Sequence, residues 1–153
     1  NTYDKRLMYE HSLRMPLVAR WPAVLTAGKT SDAMVMNLDF SPTFLALAQA
    51  GIPSDVQGRS LMQLLRGETL DSWRDAIYYR FYETGYGVGP ILGVRTFRHK
   101  LIHYQYDGHS SELFDLQNDP NELKNLFDAE SHRPIRESLE KRLRELQIQY
   151  GDK

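Results

Sequence analysis

The sequence predicts an α+β fold in which a four-stranded antiparallel sheet is packed by a C-terminal helix. Four strand-like segments lie between residues 76 and 116, and the short loops between them favour an antiparallel meander. An amphipathic segment at residues 134–150 follows and predicts the helix that covers one face of the sheet. A further strand and two helices are predicted before residue 71.

The four strands are predicted from runs rich in aromatic and β-branched residues, at 76–83, 91–97, 100–106 and 111–116. Three glycines and a proline within residues 84–90 predict a loop after the first strand. The turn at residues 118–121 is predicted to begin a short helical segment through Leu123 and Leu126. The apolar stripe of the terminal helix consists of Ile135, Leu139, Leu143, Leu146 and Tyr150.

The first half of the chain is predicted to hold one strand and two helices. Residues 16–21 are mostly apolar and are followed by a proline, as expected for a short buried strand. A helix is predicted to begin near Asp39 or Ser41, either of which is a favourable N-cap, and to stop before Gly51. A second, short helix is predicted to open at Ser60.

Composition and charge exclude several functional classes. The chain has 153 residues, enough for one ordinary domain or about one and a half small ones, and its net charge of −1 provides no strong field for nucleic acid or an anionic membrane. No apolar run is long enough to span a bilayer. The absence of cysteine excludes disulfides, cysteinyl zinc sites and thiol nucleophiles, and the histidines lack metal-ligand spacing. Because the chain begins at Asn1 rather than Met, we expect a fragment or a processed chain.

Residues 4–22 combine dense charge with an apolar run. Charged groups are costly to bury unless they are paired or hydrogen-bonded, so this density beside a predicted strand indicates the rim of a site. Glu10 and Arg14 have the i, i+4 spacing of a helical ion pair, and we expect that pair to hold the segment in place. Most of such a site is expected to lie before Asn1.

Four separated signatures occur along the chain and together cover most of it. They are Lys5-Arg6 with Tyr9-Glu10; Asp39-Phe40-Ser41-Pro42-Thr43 with Gly58-Arg59-Ser60; Gly93-Val94-Arg95-Thr96 with Lys100-Leu101-Ile102; and Glu112-Leu113-Phe114-Asp115-Leu116 with Asn118-Asp119-Pro120-Asn121-Glu122. On these residues the chain resembles the sulfatase family, within the alkaline-phosphatase-like superfamily. The resemblance implies that residues 1–70 are the C-terminal remnant of a catalytic α/β domain and that residues 71–153 are the small C-terminal subdomain.

The resemblance also implies the chemistry of the parent enzyme, a sulfuric ester hydrolase acting on sulfated carbohydrate or aryl sulfate. Sulfatases use a formylglycine nucleophile, made from Cys or Ser in a Cys/Ser-x-Pro-x-Arg motif, and a calcium or sometimes magnesium ion held by Asp and Asn. The motif does not occur in this sequence, and the metal ligands are expected upstream. We therefore expect this chain alone to be inactive and to hold neither cofactor.

Lys5 matches the sulfatase lysine that contacts the sulfate, and this resemblance makes it the one catalytic candidate; the alternative is an exposed lysine in a frayed terminus. Arg80 and Glu83 are candidate substrate-binding residues, because the subdomain of sulfatases often lends a loop to the pocket rim. Their alternative is an aromatic strand with solvated charges. Asp115, Asn118 and Asp119 suggest oxygen ligands for calcium but lack an EF-hand pattern, so we expect them to cap a turn.

Two other functions remain open from the sequence. The chain fits the C-terminal part of a related phosphonate or phosphodiester hydrolase, which the upstream nucleophile motif would distinguish. It also fits a stand-alone binding module, although a module is not expected to begin with a lone strand. Deprived of its sheet, the segment 16–21 is expected to be exposed, rearranged or paired with a second copy, so self-association is a further expectation. The family resemblance favours a periplasmic or secreted location.

Overall fold

The computed structural model describes residues 7–68, 70, 72–85 and 87–152. Two compact units are present, one built from residues 7–16 together with 75–152 and the other from Leu17–Arg74. The predicted fold class is confirmed, since a four-stranded antiparallel sheet is followed by a long C-terminal helix. The assignment of residues 1–70 and 71–153 to two domains of a larger enzyme stays a prediction. Within this chain, residues 7–16 group with the sheet.

The sheet is a meander with the strand order β1-β2-β3-β4. Its strands are β1 (Ala76–Phe81), β2 (Ile91–Thr96), β3 (His99–Tyr104) and β4 (Glu112–Asp115), each within a residue or two of its prediction. At the edge strand β4, the main-chain N–H of Leu126 donates to the carbonyl oxygen of Leu113 at 2.8 Å. The chain after β4 therefore covers part of the outer edge of that strand.

One face of the sheet packs against α4 (Arg133–Tyr150), which follows a 3₁₀ turn at Glu130–His132. This face of the sheet presents apolar residues of β2, β3 and β4 to the apolar stripe of α4. The resulting core cluster includes Leu92, Val94, Leu101, Leu113, Leu139, Leu143 and Leu146. The helix ends at Gly151, whose φ of 67° is the left-handed conformation that glycine adopts without steric cost. The predicted stripe of the terminal helix is confirmed.

The opposite face of the sheet is covered by the N-terminal segment, residues 7–13, which includes the single-turn helix α1 (Glu10–Leu13). Met8 is fully buried there among Ile91, Ile102 and Phe114. Alternate side chains of a strand point to opposite faces, so the same strands supply two cores. The N-terminal segment thus shields this face of the sheet from solvent, as α4 shields the other face.

The Leu17–Arg74 unit contains a 3₁₀ turn at Asn37–Asp39 and the helices α2 (Phe40–Leu47) and α3 (Met62–Leu65). Both helices were predicted, and the short one is followed by a glycine with a φ of 78°. Thr43 joins the two helices, because its Oγ1 accepts the N–H of Leu61 at 2.8 Å.

Asp39 does not cap α2 with its side chain, contrary to one of the two predicted N-caps. Its carboxylate is fully buried and receives both terminal nitrogens of Arg74, at 2.5 and 2.6 Å, with the N–H groups of Met36 and Arg59 each at 2.8 Å. Burial acts to raise the pKa of Asp39, but the Arg74 and main-chain hydrogen bonds outweigh it and lower the pKa. The carboxylate therefore binds three separate parts of the unit rather than one helix end.

Two predicted elements are wrong. Residues 16–21 form no strand, since the described chain supplies no neighbour to complete their hydrogen-bond ladder, and Leu17 and Val18 are exposed. The segment after residue 118 forms turns instead of a helix, because Glu122 has a φ of 54° and the side chain of Asn125 accepts the N–H of Leu113 at 3.0 Å. No helix in the described ranges has the length and apolarity to cross a membrane.

Replacing Gly93 with alanine is expected to destabilise the sheet unit by about 1–3 kcal/mol, as overpacking does in a filled core. An added Cβ would lie 2.7 Å from the carbonyl oxygen of Leu101 and closer still to Sδ of Met8. Urea unfolding of the 153-residue chain measures the change. The control is Gly51→Ala, where a Cβ meets nothing within 4 Å. Equal stability of the two variants would contradict close packing of Met8 on β2.

Candidate functional site

The predicted site residues lie in different surroundings. Lys5 lies outside the described residues. Arg80 lies on β1, hydrogen-bonds the side chain of Gln105 and has its Nε 3.5 Å from a carboxylate oxygen of Asp152. Glu83 is exposed in the loop that follows β1. Arg80 is thus held by side chains of its own unit, and a role for Arg80 or Glu83 in substrate binding stays a prediction.

A group of four charged residues, here called the buried charge cluster, lies where the N-terminal segment meets the sheet. Its members are Glu10, Arg95, Lys100 and Glu122. The Lys100 side chain is 0% exposed, and its Nζ lies 2.8 Å from Oε1 of Glu10 and 2.6 Å from Oε1 of Glu122. Arg95 donates two hydrogen bonds to the Glu10 carboxylate, at 3.2 and 3.0 Å. Two cations face two anions, so the cluster is neutral as a whole.

Each member reaches the cluster by a different local structure. Arg95 on β2 and Lys100 on β3 are register partners across the hairpin, so their side chains lie side by side on one face. Glu10 opens α1. Glu122 comes from the turn after β4 and has a positive φ that non-glycine residues rarely adopt. Its second carboxylate oxygen accepts the main-chain N–H of Glu10 at 2.6 Å, so Glu122 binds the backbone of the N-terminal segment directly.

The electrostatics of Glu10 follow from this geometry. Burial by itself raises the pKa of its carboxyl, but the hydrogen bonds and positive charges of Arg95 and Lys100 outweigh burial and lower the pKa from 4.5 to about 2. Glu10 is therefore ionised at any physiological pH. A buried carboxylate with two cationic donors has a defined position, because bidentate and charge-assisted hydrogen bonds constrain direction as well as distance.

A second set of polar contacts joins the N-terminal segment to the sheet beside the buried charge cluster. The hydroxyl of Tyr9 donates to the Glu112 carboxylate at 3.0 Å, and the hydroxyl of Tyr104 donates to the same group at 2.7 Å. Burial is the main cause that raises the pKa of Tyr104, and its contacts with Tyr9 and Glu112 add to the effect. Both tyrosines therefore stay neutral donors.

The expected ion pair between Glu10 and Arg14 is not what holds the segment. Helix α1 ends at Leu13, and Arg14 is its C-cap with a non-helical ψ of 88°, so the only contact with Glu10 that the structure gives Arg14 is from its main-chain N–H to the Glu10 carbonyl oxygen, at 2.8 Å. Glu10 pairs with Arg95 and Lys100 instead, while Arg14 is exposed. Sequence reasoning missed these partners, although Arg95, Lys100 and Glu122 all lie within the signatures that carry the family resemblance.

The turn after β4 confirms the predicted capping role of its acidic residues. Asp115 accepts hydrogen bonds from Arg98 at 3.1 and 2.8 Å and from the side chain of Asn118 at 2.9 Å. The hydrogen bonds from Arg98 are the main cause that holds the pKa of Asp115 well below its usual range. Asp119 accepts the N–H of Lys124 at 2.8 Å. In the described ranges, no group of three or more His, Asp or Glu side chains is arranged to hold a metal ion.

Comparison with known proteins agrees with this architecture. The family model described as N-sulphoglucosamine sulphohydrolase, C-terminal, matches residues 1–149. An N-acetylglucosamine-6-O-sulfatase of Bacteroides thetaiotaomicron is 43% identical over 98% of this chain, which spans only 28% of that relative's length. An arylsulfatase of Clostridium perfringens is 32% identical over 87% of the chain, which spans 27% of it.

Solved structures share the fold. The structure of BT4656 in complex with its substrate D-glucosamine-2-N,6-O-disulfate superimposes with a TM-score of 0.89 at 42% identity, covering 97% of this chain and 31% of that one. A phosphonate monoester hydrolase from Silicibacter pomeroyi reaches a TM-score of 0.72 at 24% identity, covering 82% of this chain and 27% of that one, which shows the fold alone. The class that these features define is the C-terminal region of sulfatases, of alkaline-phosphatase-like fold. Within that class, the chain belongs to the N-sulphoglucosamine sulphohydrolase C-terminal family.

The low pKa of Glu10 predicts a specific loss of stability in acid. A carboxyl whose pKa falls from 4.5 in the unfolded chain to about 2 in the folded one stabilises the fold above about pH 5 and loses this contribution as pH falls towards 2. The contribution is about 2–3 kcal/mol. Between pH 6 and pH 3, the free energy of unfolding measured in urea is expected to fall less for Glu10→Gln than for the unmodified chain, by about that contribution. Leu143→Ala, a core variant without a titrating group, is expected to keep the full pH dependence, and an unchanged slope in Glu10→Gln would contradict the assignment.

Replacing Lys100 with methionine is expected to cost about 3–5 kcal/mol of folding stability, because it leaves the buried carboxylate of Glu122 without its cation while Glu10 keeps Arg95. The matched control is Arg133→Ala, which removes a surface partner of Glu137 whose side chain is 59% exposed and which is expected to cost about 0.5 kcal/mol or less. Chemical unfolding at neutral pH measures both changes. Similar small losses would show that Lys100 is solvated in solution.

Proposed function

We propose that the whole protein is a sulfatase that removes the 6-O-sulfate from a glucosamine residue of a sulfated glycan. The observation that carries this proposal is the similarity over nearly the entire chain to an N-acetylglucosamine-6-O-sulfatase, at 43% identity. The solved structure of similar identity was obtained with a glucosamine disulfate as its substrate. Because the chain spans less than a third of both relatives, the activity is proposed for the protein that contains it.

Within that protein, Lys5 is proposed to contact the sulfate. A fixed ammonium group stabilises negative charge that develops on the sulfate and leaving oxygens as the ester bond breaks. Support comes from the neighbouring residues, because Met8 is fully buried against the sheet and Glu10 is held by Arg95 and Lys100. Arg80 and Glu83 are proposed to lie nearer the glycan than the sulfate, on the rim.

The formylglycine and the calcium or magnesium ion of the proposed enzyme are assigned to other parts of the protein. The described residues do not fit a metal, since no group of three acidic or histidine side chains converges on one point. The sequence has no cysteine and no Ser-x-Pro-x-Arg motif from which formylglycine is made. No catalytic step is therefore assigned to these groups through residues of this chain.

Residues 1–70 and 71–153 are proposed to belong to the catalytic domain and the C-terminal subdomain of the whole protein, respectively. The exposed apolar side chains of Leu17 and Val18 support an origin of the segment 16–21 in a larger sheet. The same exposure supports the proposal that isolated copies of this chain self-associate through that segment.

The name of the matching family model favours a second candidate, hydrolysis of the N-sulfate of glucosamine. The two reactions break different bonds, the C6 ester O–S bond in one case and the N–S bond in the other. One compound, D-glucosamine-2-N,6-O-disulfate, contains both groups and therefore separates the two candidates in a single assay.

Incubating the full-length protein with this disulfate is expected to release the 6-O-sulfate and leave the N-sulfate, which NMR of the product distinguishes. Lys5→Ala is expected to lower kcat/KM by about 10²–10³-fold, the cost of removing one charge-stabilising donor. The 153-residue chain alone is the negative control and is expected to release no sulfate. Loss of the N-sulfate first would favour the second candidate, and no release of either would contradict the proposed substrate.

A further inference from the structure

We propose that the buried charge cluster positions the N-terminal segment for catalysis, so that Lys100 and Glu122 act as positioning residues for Lys5. The proposal rests on the proposed function, because it assigns a purpose to residues that never touch the substrate. Lys100 on β3 and Glu122 in the turn after β4 would then determine part of the geometry of the sulfate pocket.

The N-terminal segment depends on the sheet for its position. Helix α1 has four residues, too few to be stable without tertiary contacts. The N-terminal segment instead contacts the sheet. Met8 packs against Gly93, Tyr9 donates a hydrogen bond to Glu112, and Glu10 pairs with Lys100 in the buried charge cluster. Three successive residues are thus each fixed by a different kind of contact.

Fixing Met8 and Glu10 restricts Lys5 through the length of the chain alone. Lys5 precedes Met8 by three residues. A fully extended chain spans at most about 3.6 Å per residue, so three residues can carry the chain no further than about 11 Å from the fully buried Met8. Any loss of order at residues 8–10 is therefore transmitted directly to the region that Lys5 can reach.

The details of Glu122 favour positioning over simple charge neutralisation. One carboxylate oxygen would be enough to pair with Lys100, yet the second accepts the main-chain N–H of Glu10 at 2.6 Å. That contact fixes the backbone rather than a flexible side chain. Glu122 achieves it with a φ of 54°, a strained conformation that persists only where surrounding contacts enforce it.

The use of charged rather than apolar residues in the cluster also favours a positioning role. Buried ion pairs contribute little net stability compared with well-packed apolar groups of the same volume, since desolvation offsets their attraction. They do impose direction, because each charged hydrogen bond has a preferred geometry. Four paired charged groups at the contact with one short segment therefore define its geometry in a way that apolar packing would not.

The test uses the full-length protein and the double variant Lys100→Met with Glu122→Ala, which also removes the acceptor of the Glu10 N–H. This pair of changes removes one cation and one anion, so Glu10 and Arg95 remain paired and no net charge is left buried. We expect kcat/KM for the disulfate to fall at least about tenfold, as small misplacements of a positioned group do. Inhibition by inorganic sulfate, the probe of the pocket itself, is expected to weaken by a similar factor.

The control for lost stability is Leu143→Ala, which disturbs the core on the other face of the sheet. It is expected to lower Tm while keeping kcat/KM within about twofold, when both variants are assayed well below their Tm. If the double variant fails to fold, Glu122→Ala alone is used, because it removes both contacts of the Glu122 carboxylate while Lys100 keeps its pair with Glu10. A fall in kcat/KM no larger than that of Leu143→Ala would overturn the proposal.

A double-mutant cycle with Lys5→Ala separates positioning from general damage. If the cluster acts through Lys5, adding the two cluster changes to Lys5→Ala is expected to lower kcat/KM by less than about twofold, whereas independent effects would multiply. Multiplying effects would overturn the inference and leave the proposed function standing. If Lys5→Ala itself keeps full activity, the proposed role of Lys5 fails, and the inference fails with it.

Discussion

The neutralisation of one buried cation is the constraint on which the sheet unit depends. The Lys100 side chain is removed from water, and an ammonium group in such a place is tolerated only when it is paired and hydrogen-bonded. Its two carboxylates come from Glu10 and Glu122, which are 112 residues apart in the chain. Satisfying Lys100 therefore requires the N-terminal segment, the β2–β3 hairpin and the turn after β4 to meet at one place.

This requirement explains why residues 7–13 belong physically with the sheet and not with the residues that follow them. A four-stranded sheet has two apolar faces, and α4 can cover only one of them. The other face receives Met8, which fits because the strand beneath it carries glycine at position 93. Apolar burial thus brings the segment onto the sheet, and the buried charge cluster determines how it lies there.

Local patterns were enough to predict the sheet and α4, because strands and helices impose periods of 2 and 3.6 that can be seen in short windows. They failed where structure depends on distant partners. Residues 16–21 have a strand's composition, yet a strand exists only with a neighbour to bond. Likewise, the residues around Leu123 have apolar spacing suited to a helix, but Glu122 and Asn125 form contacts with other segments that require a different backbone.

The candidate site shows the same division. Sequence spacing indicated Arg14 as the partner of Glu10, because only neighbours along the chain can be identified from spacing. The real partners, Arg95 and Lys100, lie 85 and 90 residues further along. The first, third and fourth signatures nevertheless each contribute at least one member to the buried charge cluster, so motifs that looked independent in sequence form one interaction in space. The signatures that carry the family resemblance of this unit therefore include the residues that fix the N-terminal segment on the sheet. Lys5 precedes these residues by only a few positions in the sequence.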